Sequence, residues 1–400
     1  MQKKKLQAMR SWCRALAGVA VAAALAGCGG GGTSAPAAPG LSPAAALGEK
    51  IFKDASLSAS GRMSCATCHA PAAAHAQTSD LAVQLGGPAL DVAGLRAVPS
   101  LRYLATAPAF FFAKNGTPTG GFNHDGSADS LLAQAVRPFL AAHEMANGDA
   151  KTVVAKLARA SYAADFRKAF GDNVLADPDA AFLAMRHALQ RYQLEDTAEF
   201  APFTSKYDAF LAGQLKLGDQ ELRGLALFNN PTKGNCAACH PSARGSDGSP
   251  PLFTDFTFDN LGVPRNTDIP ATADPGYFDL GLCQATRPGL ESRGDLCGAF
   301  KVPTLRNVAT RRAFFHNGRF KTLREALRFY VMRDTNPELW YPVVNGTTDK
   351  FNDLPPAYRA NVNTKEVPYN RKPGDAPALS DAEIEDVLAF LATLNDGYTP

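Results

Sequence analysis

The chain has 400 residues, of which 46% are hydrophobic and 20% are charged, a composition typical of a globular protein with room for two domains. Lys and Arg total 41 and Asp and Glu 38, but five of the basic and none of the acidic residues lie in residues 1–27, so the remainder carries a charge near −2. No basic patch is interleaved with aromatic residues, which argues against a nucleic-acid-binding protein.

The first 27 residues predict a signal peptide. A basic segment precedes an apolar run at 15–27 that is too short to span a bilayer. The run ends in Leu-Ala-Gly before Cys28, which resembles a bacterial lipobox, in which the cysteine is acylated. The alternative is an ordinary signal-peptidase site among the alanines with Cys28 merely nearby. We favour a lipoprotein of the Gram-negative periplasm or cell envelope that touches the membrane only through its lipid, with 28–43 as a flexible tether.

Two Cys-x-x-Cys-His pentads predict two covalently attached c-type haems. The pentad residues are Cys65, Cys68 and His69, and Cys236, Cys239 and His240. Two thiols at this spacing reach the two vinyl groups of one porphyrin, and the histidine becomes an axial iron ligand. A zinc site would need both cysteine pairs together, and a redox dithiol has no use for the histidine. Export supports haem, because haem c is attached outside the cytoplasm.

Two further cysteines, Cys283 and Cys297, remain in the mature chain. An oxidising compartment favours a mutual disulfide, with metal ligation or redox sensing as the alternatives.

The chain contains an internal repeat. The matching segments are residues 47–52 and 222–228 before the pentads, the Val-Pro-Ser/Thr-Leu-Arg motifs at 98–102 and 302–306, and the segments 122–126 and 315–318. The repeat predicts one haem-binding unit in each half, at residues 44–205 and 206–400.

Segments with helical spacing connect these motifs, and strand patterns are nearly absent. The predicted helices are residues 130–142, 179–194, 322–333 and 380–394, the last opened by a Ser-x-x-Glu capping box. The sequence therefore predicts an all-α protein of two tandem cytochrome c-like domains.

The repeat also predicts that the two irons differ. Eight residues after Ser130 is Pro138, and eight after Thr322 is Tyr330. If this position faces the distal side of each haem, Tyr330 closes the second iron, whereas proline leaves the first open to a small ligand. The alternatives are Met332 as the ligand and Tyr330 as an ordinary core aromatic.

These motifs resemble the bacterial dihaem cytochrome c peroxidases and the related enzyme MauG, over residues 47–398. The resemblance rests on both pentads, on Lys-Val-Pro-Thr-Leu-Arg-Asn at 301–307 and on Phe-His-Asn-Gly at 315–318. It implies that the N-terminal haem reacts with hydrogen peroxide and that the C-terminal haem is low-spin. It also implies that Gln134 and Pro138 line the peroxide site and that Glu144 is its general acid–base, although a surface carboxylate beside His143 is the ordinary alternative.

Tyr330 places the chain nearer to MauG than to the peroxidases, which have methionine there. The C-terminal half resembles the methanobactin-associated branch, MbnH, at residues 258–262, 333–337, 339–342 and 350–355. The resemblance implies a peroxidase-type oxidoreductase that oxidises a partner protein, for example tryptophan to kynurenine on a copper-binding, MbnP-like partner.

Two departures from the family stand out. His124 occupies the place of a tryptophan that relays electrons between the haems, so it is either a relay or a structural hydrogen-bonding residue like His316. The family often binds calcium with an asparagine just after the first proline motif, where this chain has Arg102 and Tyr103, so calcium is possible but unsupported by the sequence.

Two other functions remain open. A dihaem cytochrome c peroxidase would take electrons from a small cytochrome or cupredoxin, and Met332 is compatible with it. A dihaem electron carrier would need both irons closed, and Pro138 argues against that.

Overall fold

The computed structural model describes residues 40–284, 287, 289, 290 and 292–399. The predicted signal peptide, Cys28 and most of the tether lie outside the described residues. Within the described part, no helix is both long enough and apolar enough to cross a membrane.

Helices are the main regular structure, and the strands of the described part form four short antiparallel pairs. The α-helices are α1 Pro43–Lys53, α2 Cys65–Cys68, α3 Leu131–Gln134, α4 Val136–Leu140, α5 Ala150–Leu157, α6 Ala163–Phe170, α7 Pro178–Glu195, α8 Thr197–Phe200, α9 Lys206–Leu211, α10 Asp219–Asn229, α11 Leu323–Met332 and α12 Asp381–Ala392. The strands are β1 Leu85–Gly86, β2 Val92–Ala93, β3 Phe111–Phe112, β4 Pro118–Thr119, β5 Phe258–Asp259, β6 Phe300–Lys301, β7 Val343–Val344 and β8 Thr347–Thr348. Short 3₁₀ turns lie at Ala55–Leu57, Pro71–Ala73, Val174–Ala176, Cys236–Ala238, Pro270–Ala273, Gly294–Leu296, Val308–Thr310, Pro337–Leu339 and Pro356–Asn361.

Each half has its own hydrophobic core. The first core gathers residues between 47 and 200, including Phe52 and Phe139, and the second gathers residues between 207 and 394, including Phe228 and Phe390. Each fully buried phenylalanine contributes about 1.5–3 kcal/mol by leaving water. Both cores lie directly beside the pentads, since Cys65, Cys68 and Cys236 pack against them.

The sequence repeat is also a structural repeat. Helix α1 packs on α7 and helix α10 packs on α12. Gly48 and Gly224 lie at the two contact points, where a Cβ atom would overlap a backbone carbonyl of the facing helix. The backbone is left-handed at Asn123 and at Phe315, each of which directly precedes the histidine of its motif.

Three of the four predicted helices are confirmed, as α7, α11 and α12, and the capping box of α12 joins Ser380 to Glu383. The prediction of one helix over residues 130–142 is wrong, because the helix is interrupted at Ala135 and ends at Leu140. Pro138 explains the interruption, since proline has no N–H for the carbonyl four residues earlier and its ring crowds that carbonyl.

Ion pairs join the second half to the first. The guanidinium of Arg96 contacts Asp125 at 2.6 Å and Asp279, in the insertion of the second half, at 2.6 Å. The same insertion contains Cys283 and Cys297, whose sulfurs are bonded at 1.98 Å.

Candidate haem sites

The two pentads adopt the same local turn. The amide of His69 donates to the carbonyl of Cys65 at 2.8 Å, and the amide of His240 donates to that of Cys236 at 2.9 Å. In each pentad this bond closes one helical turn, so both thiols and the imidazole project from one short segment.

Backbone carbonyls orient both proximal histidines. The Nδ1–H of His69 donates to the carbonyls of His75 at 3.1 Å and Pro99 at 3.0 Å. The Nδ1–H of His240 donates to Phe253 at 2.7 Å, and Pro303 provides a second carbonyl. Since a carbonyl only accepts, each imidazole must carry its proton on Nδ1, which leaves Nε2 free for a metal.

Burial keeps both imidazoles neutral. It lowers the pKa of His69 to about 4 and also lowers the pKa of His240, because a buried imidazolium loses its hydration. A neutral imidazole is the form that binds iron.

The two proline motifs of the repeat supply carbonyls, those of Pro99 and Pro303, that orient the proximal histidines. Sequence reasoning missed this role.

One cavity of about 330 Å³ is lined by residues of both halves, including His69, Gln134, His240 and Tyr330. Its wall is mainly apolar, and it includes the free cysteines Cys236 and Cys239 of the second pentad, whereas the first pentad contributes His69. Thiols at pentad spacing, an imidazole with free Nε2 and an apolar wall are what a covalently attached haem requires.

Two half-buried cations in the cavity wall, Lys301 and Arg311, also fit haem. Lys301 donates to the carbonyl of Gly121, and Arg311 donates to that of Val98 at 3.0 Å. Neither forms an ion pair with a carboxylate among the described residues, and burial lowers the pKa of Lys301 to about 8 and that of Arg311 to about 10. Buried charges without counterions are costly, so these side chains are suited to the propionates of a bound haem.

Of the three residues expected at the peroxide site, Gln134 precedes α4, Pro138 lies within it and Glu144 follows it. Gln134, at the end of α3, lines the cavity. Pro138 and Glu144 do not line it, but the amide of Met145 donates to the Pro138 carbonyl at 3.0 Å and so holds the Glu144 loop against the helix. The β1–β2 hairpin supports the same loop, because the amide of Gly87 donates to the Glu144 carbonyl at 2.9 Å.

The Glu144 side chain is half-buried beside basic side chains and near the first pentad. Burial raises its pKa, and Arg137 partly opposes this. Its Oε1 lies 3.6 Å from Nε of Arg137 and 3.7 Å from Nε2 of His143. Burial is the main cause that raises the pKa of Cys68, and the negative charge of Glu144 is the second. The Glu144 carboxyl therefore lies close enough to act on that thiol. A carboxyl with a raised pKa is suited to proton transfer near neutral pH.

Tyr330 faces the second site. It lines the cavity with Cys236 and His240, whereas Met332, two residues along α11, is not among the described lining residues. The Tyr330 ring packs against the rings of Phe315 and Tyr369, with centroids 5.5 Å and 6.0 Å away. Burial raises the pKa of Tyr330, and the nearby Cys236 thiolate would raise it further.

His124 lies where the two halves meet. Its Nε2–H donates to the carbonyl of Ala97 at 2.8 Å, and the amide of Ala97 donates to the carbonyl of His316 at 2.8 Å. A single residue, Ala97, therefore connects the two repeat-related histidines. The His124 ring lines the cavity, and burial lowers its pKa to about 3, so it is a neutral donor.

The position of the family calcium site is occupied by other contacts. Asp396 accepts hydrogen bonds from Tyr103 at 2.6 Å, Asn307 at 2.6 Å and Arg102 at 3.0 Å. No group of three His, Cys, Asp or Glu side chains among the described residues is arranged to hold a metal ion. The Asp396 carboxylate is thus already used and a guanidinium stands beside it, so these contacts add no support for calcium.

Fold and site together fit a protein that holds two c-type haems. Residues 42–216 match the profile of the family described as di-haem cytochrome c peroxidase. The chain is 36% identical to methylamine utilization protein MauG of Paracoccus denitrificans strain Pd 1222, over 91% of this chain and 92% of that protein. It therefore belongs to the di-haem cytochrome c peroxidase and MauG family, whose members are haem-dependent oxidoreductases that act on peroxide.

Two solved structures are similar over most of the chain. The diheme peroxidase BthA from Burkholderia thailandensis E264 is 41% identical with a TM-score of 0.82, covering 88% of this chain and 86% of that one. A MauG-like protein associated with microbial copper homeostasis is 25% identical with a TM-score of 0.62, covering 90% and 91%.

Proposed function

We propose that this protein is an exported dihaem enzyme that reduces hydrogen peroxide and uses the two oxidising equivalents to oxidise a partner protein. The observation that carries the proposal is the position of Tyr330, which lines the cavity beside the second pentad while Met332 does not. A phenolate ligand stabilises high iron oxidation states, whereas a thioether favours the reduced state of an electron-accepting cytochrome. We also infer that residues 44–205 and 206–400 each bind one haem, in keeping with their separate cores.

At the first site, a haem would be held by Cys65, Cys68 and His69 and would supply the iron at which peroxide is reduced. The chain contributes proton transfer and orientation. Glu144 takes a proton from one peroxide oxygen and delivers it to the other, which departs as water. Gln134 is placed in the cavity wall to donate or accept a hydrogen bond to the bound oxygens. Pro138, the counterpart of Tyr330 in the repeat, has no ligating atom and does not itself line the cavity, so it would leave the first iron without a second protein ligand.

At the second site, a haem attached to Cys236 and Cys239 would be held by His240 and Tyr330. With both of these residues bound to it, it would exchange electrons and bind no peroxide. His124, at the junction of the halves, is suited to relay electrons between the sites, and its hydrogen bond to Ala97 fixes the ring in place.

The nature of the partner is suggested by similarity. A MauG-like protein associated with copper homeostasis resembles this chain over 90% of its length, and the C-terminal half carries the MbnH-like segments. We therefore propose a copper-binding, MbnP-like protein as the substrate, with one of its tryptophans converted to kynurenine. We further propose that both proteins act in the periplasm or cell envelope, with this chain anchored through Cys28.

The test is to add one equivalent of hydrogen peroxide to the fully oxidised holoprotein without an electron donor and to follow the visible and near-infrared spectrum. We expect a long-lived two-electron-oxidised state with a charge-resonance band, which decays faster when the partner is added. An oxidised protein that reacts only after one-electron reduction would instead identify a cytochrome c peroxidase that is supplied by a small cytochrome or cupredoxin. A protein that never reacts would indicate an electron carrier.

A further inference from the structure

An unbroken series of aromatic contacts leads from the second site toward the surface. Tyr330 packs on Phe315 with ring centroids 5.5 Å apart. Phe315 packs on Phe320 at 5.5 Å and on Phe329 at 5.4 Å. Both of these rings then contact Trp340, each at 5.8 Å. Two parallel routes, each with two intermediate rings, therefore connect Tyr330 to Trp340.

The end of this series is chemically distinctive. Trp340 is the only tryptophan in the part of the chain that the structure describes. Indole and phenol are the aromatic side chains that lose one electron most readily. Trp340 is half-buried, and its neighbour Leu339 is 54% exposed. Its Nε1–H is buried with no hydrogen-bond partner among the described residues, although a buried tryptophan usually finds one.

The aromatic series beside the first site has a different end. His75, whose carbonyl orients His69, stacks on Phe200 at 4.3 Å, and Phe200 contacts Tyr192 at 5.0 Å. Tyr192 is only 1% exposed and lies within the first core. These aromatic contacts therefore connect the second site to an oxidisable ring near the surface, Trp340. The contacts beside the first site lead only to the buried ring of Tyr192.

We propose that Trp340 is a redox-active residue through which the second site exchanges single electrons with donors or substrates at the protein surface. The inference rests on the proposed function, since peroxide is the oxidant. Phenylalanine is too difficult to oxidise to hold the charge, so Phe315, Phe320 and Phe329 act as a packed bridge between Tyr330 and Trp340. Because the indole N–H has no acceptor, oxidation of Trp340 removes an electron and leaves the proton in place.

The electron balance follows from peroxide. Reduction of one hydrogen peroxide to two waters consumes two electrons and two protons. With a donor present, each electron lost by Trp340 is replaced by a reduced cytochrome or cupredoxin. Without a donor, Trp340 supplies both electrons, water adds to the ring and two protons are released. The net reaction converts one indole C–H bond to C–OH and one peroxide to one water.

The experiment treats wild-type holoprotein with peroxide in the absence of a donor and analyses the tryptic peptide of residues 334–350, which contains Trp340, by mass spectrometry. We expect addition of oxygen at Trp340, suppressed when a reduced cytochrome is present. Trp340→Phe is the informative variant, because it keeps an aromatic ring and removes no hydrogen bond among the described residues. Tyr398→Phe is the control, since it changes an exposed aromatic ring outside the series.

The kinetic readout separates electron exchange from peroxide chemistry. Trp340→Phe should react with peroxide in a single turnover as fast as wild type but accept electrons from the reduced cytochrome about tenfold more slowly. Trp340→Tyr should restore part of that rate, and Tyr398→Phe should match wild type. If wild type reacts with peroxide, Trp340 stays unmodified and Trp340→Phe accepts electrons at the normal rate, the relay is wrong while the proposed function stands. If wild type does not react with peroxide, the proposed function fails and the relay fails with it.

Discussion

Gly48 of α1 and Gly224 of α10 are structurally equivalent. Each lies where the helix before a pentad crosses the last long helix of its half, and a Cβ atom would overlap the carbonyl of Ala188 at the first position and of Asp386 at the second. Four residues after each glycine, Phe52 and Phe228 enter the two cores. The close crossing therefore sets how near each pentad lies to its core.

A methyl group at either crossing should destabilise the protein. Gly48→Ala and Gly224→Ala each force two helices apart, and we expect a loss of about 1–3 kcal/mol in the free energy of unfolding. Urea denaturation of the holoprotein followed by circular dichroism measures this. Gly148→Ala is the matched control, since no atom lies within 4 Å of its added Cβ. Equal midpoints for Gly48→Ala and Gly148→Ala would contradict the close crossing.

The equivalence of the two halves could be predicted because the spacing from glycine to phenylalanine and the pentads themselves are local patterns that occur in both halves of the sequence. The equivalence of Pro138 and Tyr330 stays a prediction, since Tyr330 lines the cavity and Pro138 does not. The interruption of the helix at Ala135 was missed because apolar periodicity outweighed a single proline. The carbonyl ligands of His69 and His240 were not predicted, since a backbone oxygen has no sequence signature.

Arg311 shows why other parts of the site were beyond sequence reasoning. It reaches the carbonyl of Val98, 213 positions away in the chain, and carries no motif of its own. Only the packing of one half against the other brings it beside His69 and His124. Lys301 had a weak signal, because it precedes the second proline motif directly.

Glu144→Gln should slow the reaction with peroxide. We expect a loss of about 10²–10⁴-fold in the second-order rate constant, the usual contribution of a general acid–base. Because the ionised carboxylate accepts the proton and burial raises its pKa, the wild-type rate should fall as the pH decreases through that raised pKa. The glutamine variant should be slow and independent of pH over this range. Stopped-flow absorbance measures both, with the exposed Glu338→Gln as control, and an unchanged rate in Glu144→Gln would exclude the assigned role.

Tyr330→Met should change how the oxidised protein behaves. With a thioether in place of the phenolate, we expect that peroxide no longer produces the long-lived oxidised state unless one electron is first added. Met332→Leu is the control, because that side chain does not line the cavity with Tyr330 and His240 and should leave the spectrum unchanged. The near-infrared spectrum after one equivalent of peroxide provides the measurement. If Met332→Leu and not Tyr330→Met alters the product, Met332 is the ligand.

The buried ion pair of Asp208 and Arg306 predicts a stability defect. Arg306 is fully buried and contacts Asp208 at 2.8 Å, so Asp208→Asn should cost about 3–5 kcal/mol by leaving a buried charge unpaired. Burial alone would raise the pKa of Asp208, but the bonds from Arg306 outweigh it and lower the pKa. The ion pair thus contributes its full stabilisation above the pKa of Asp208 in the unfolded chain, about 4. This stabilisation is lost as the pH falls through the lower pKa of Asp208 in the folded protein. Urea denaturation at pH 7 and at lower pH measures the stability of both proteins. Asp165→Asn is the control, because it breaks the solvent-exposed pair with Lys50 and should barely change the free energy of unfolding. Equal losses for Asp208→Asn and Asp165→Asn would contradict the argument.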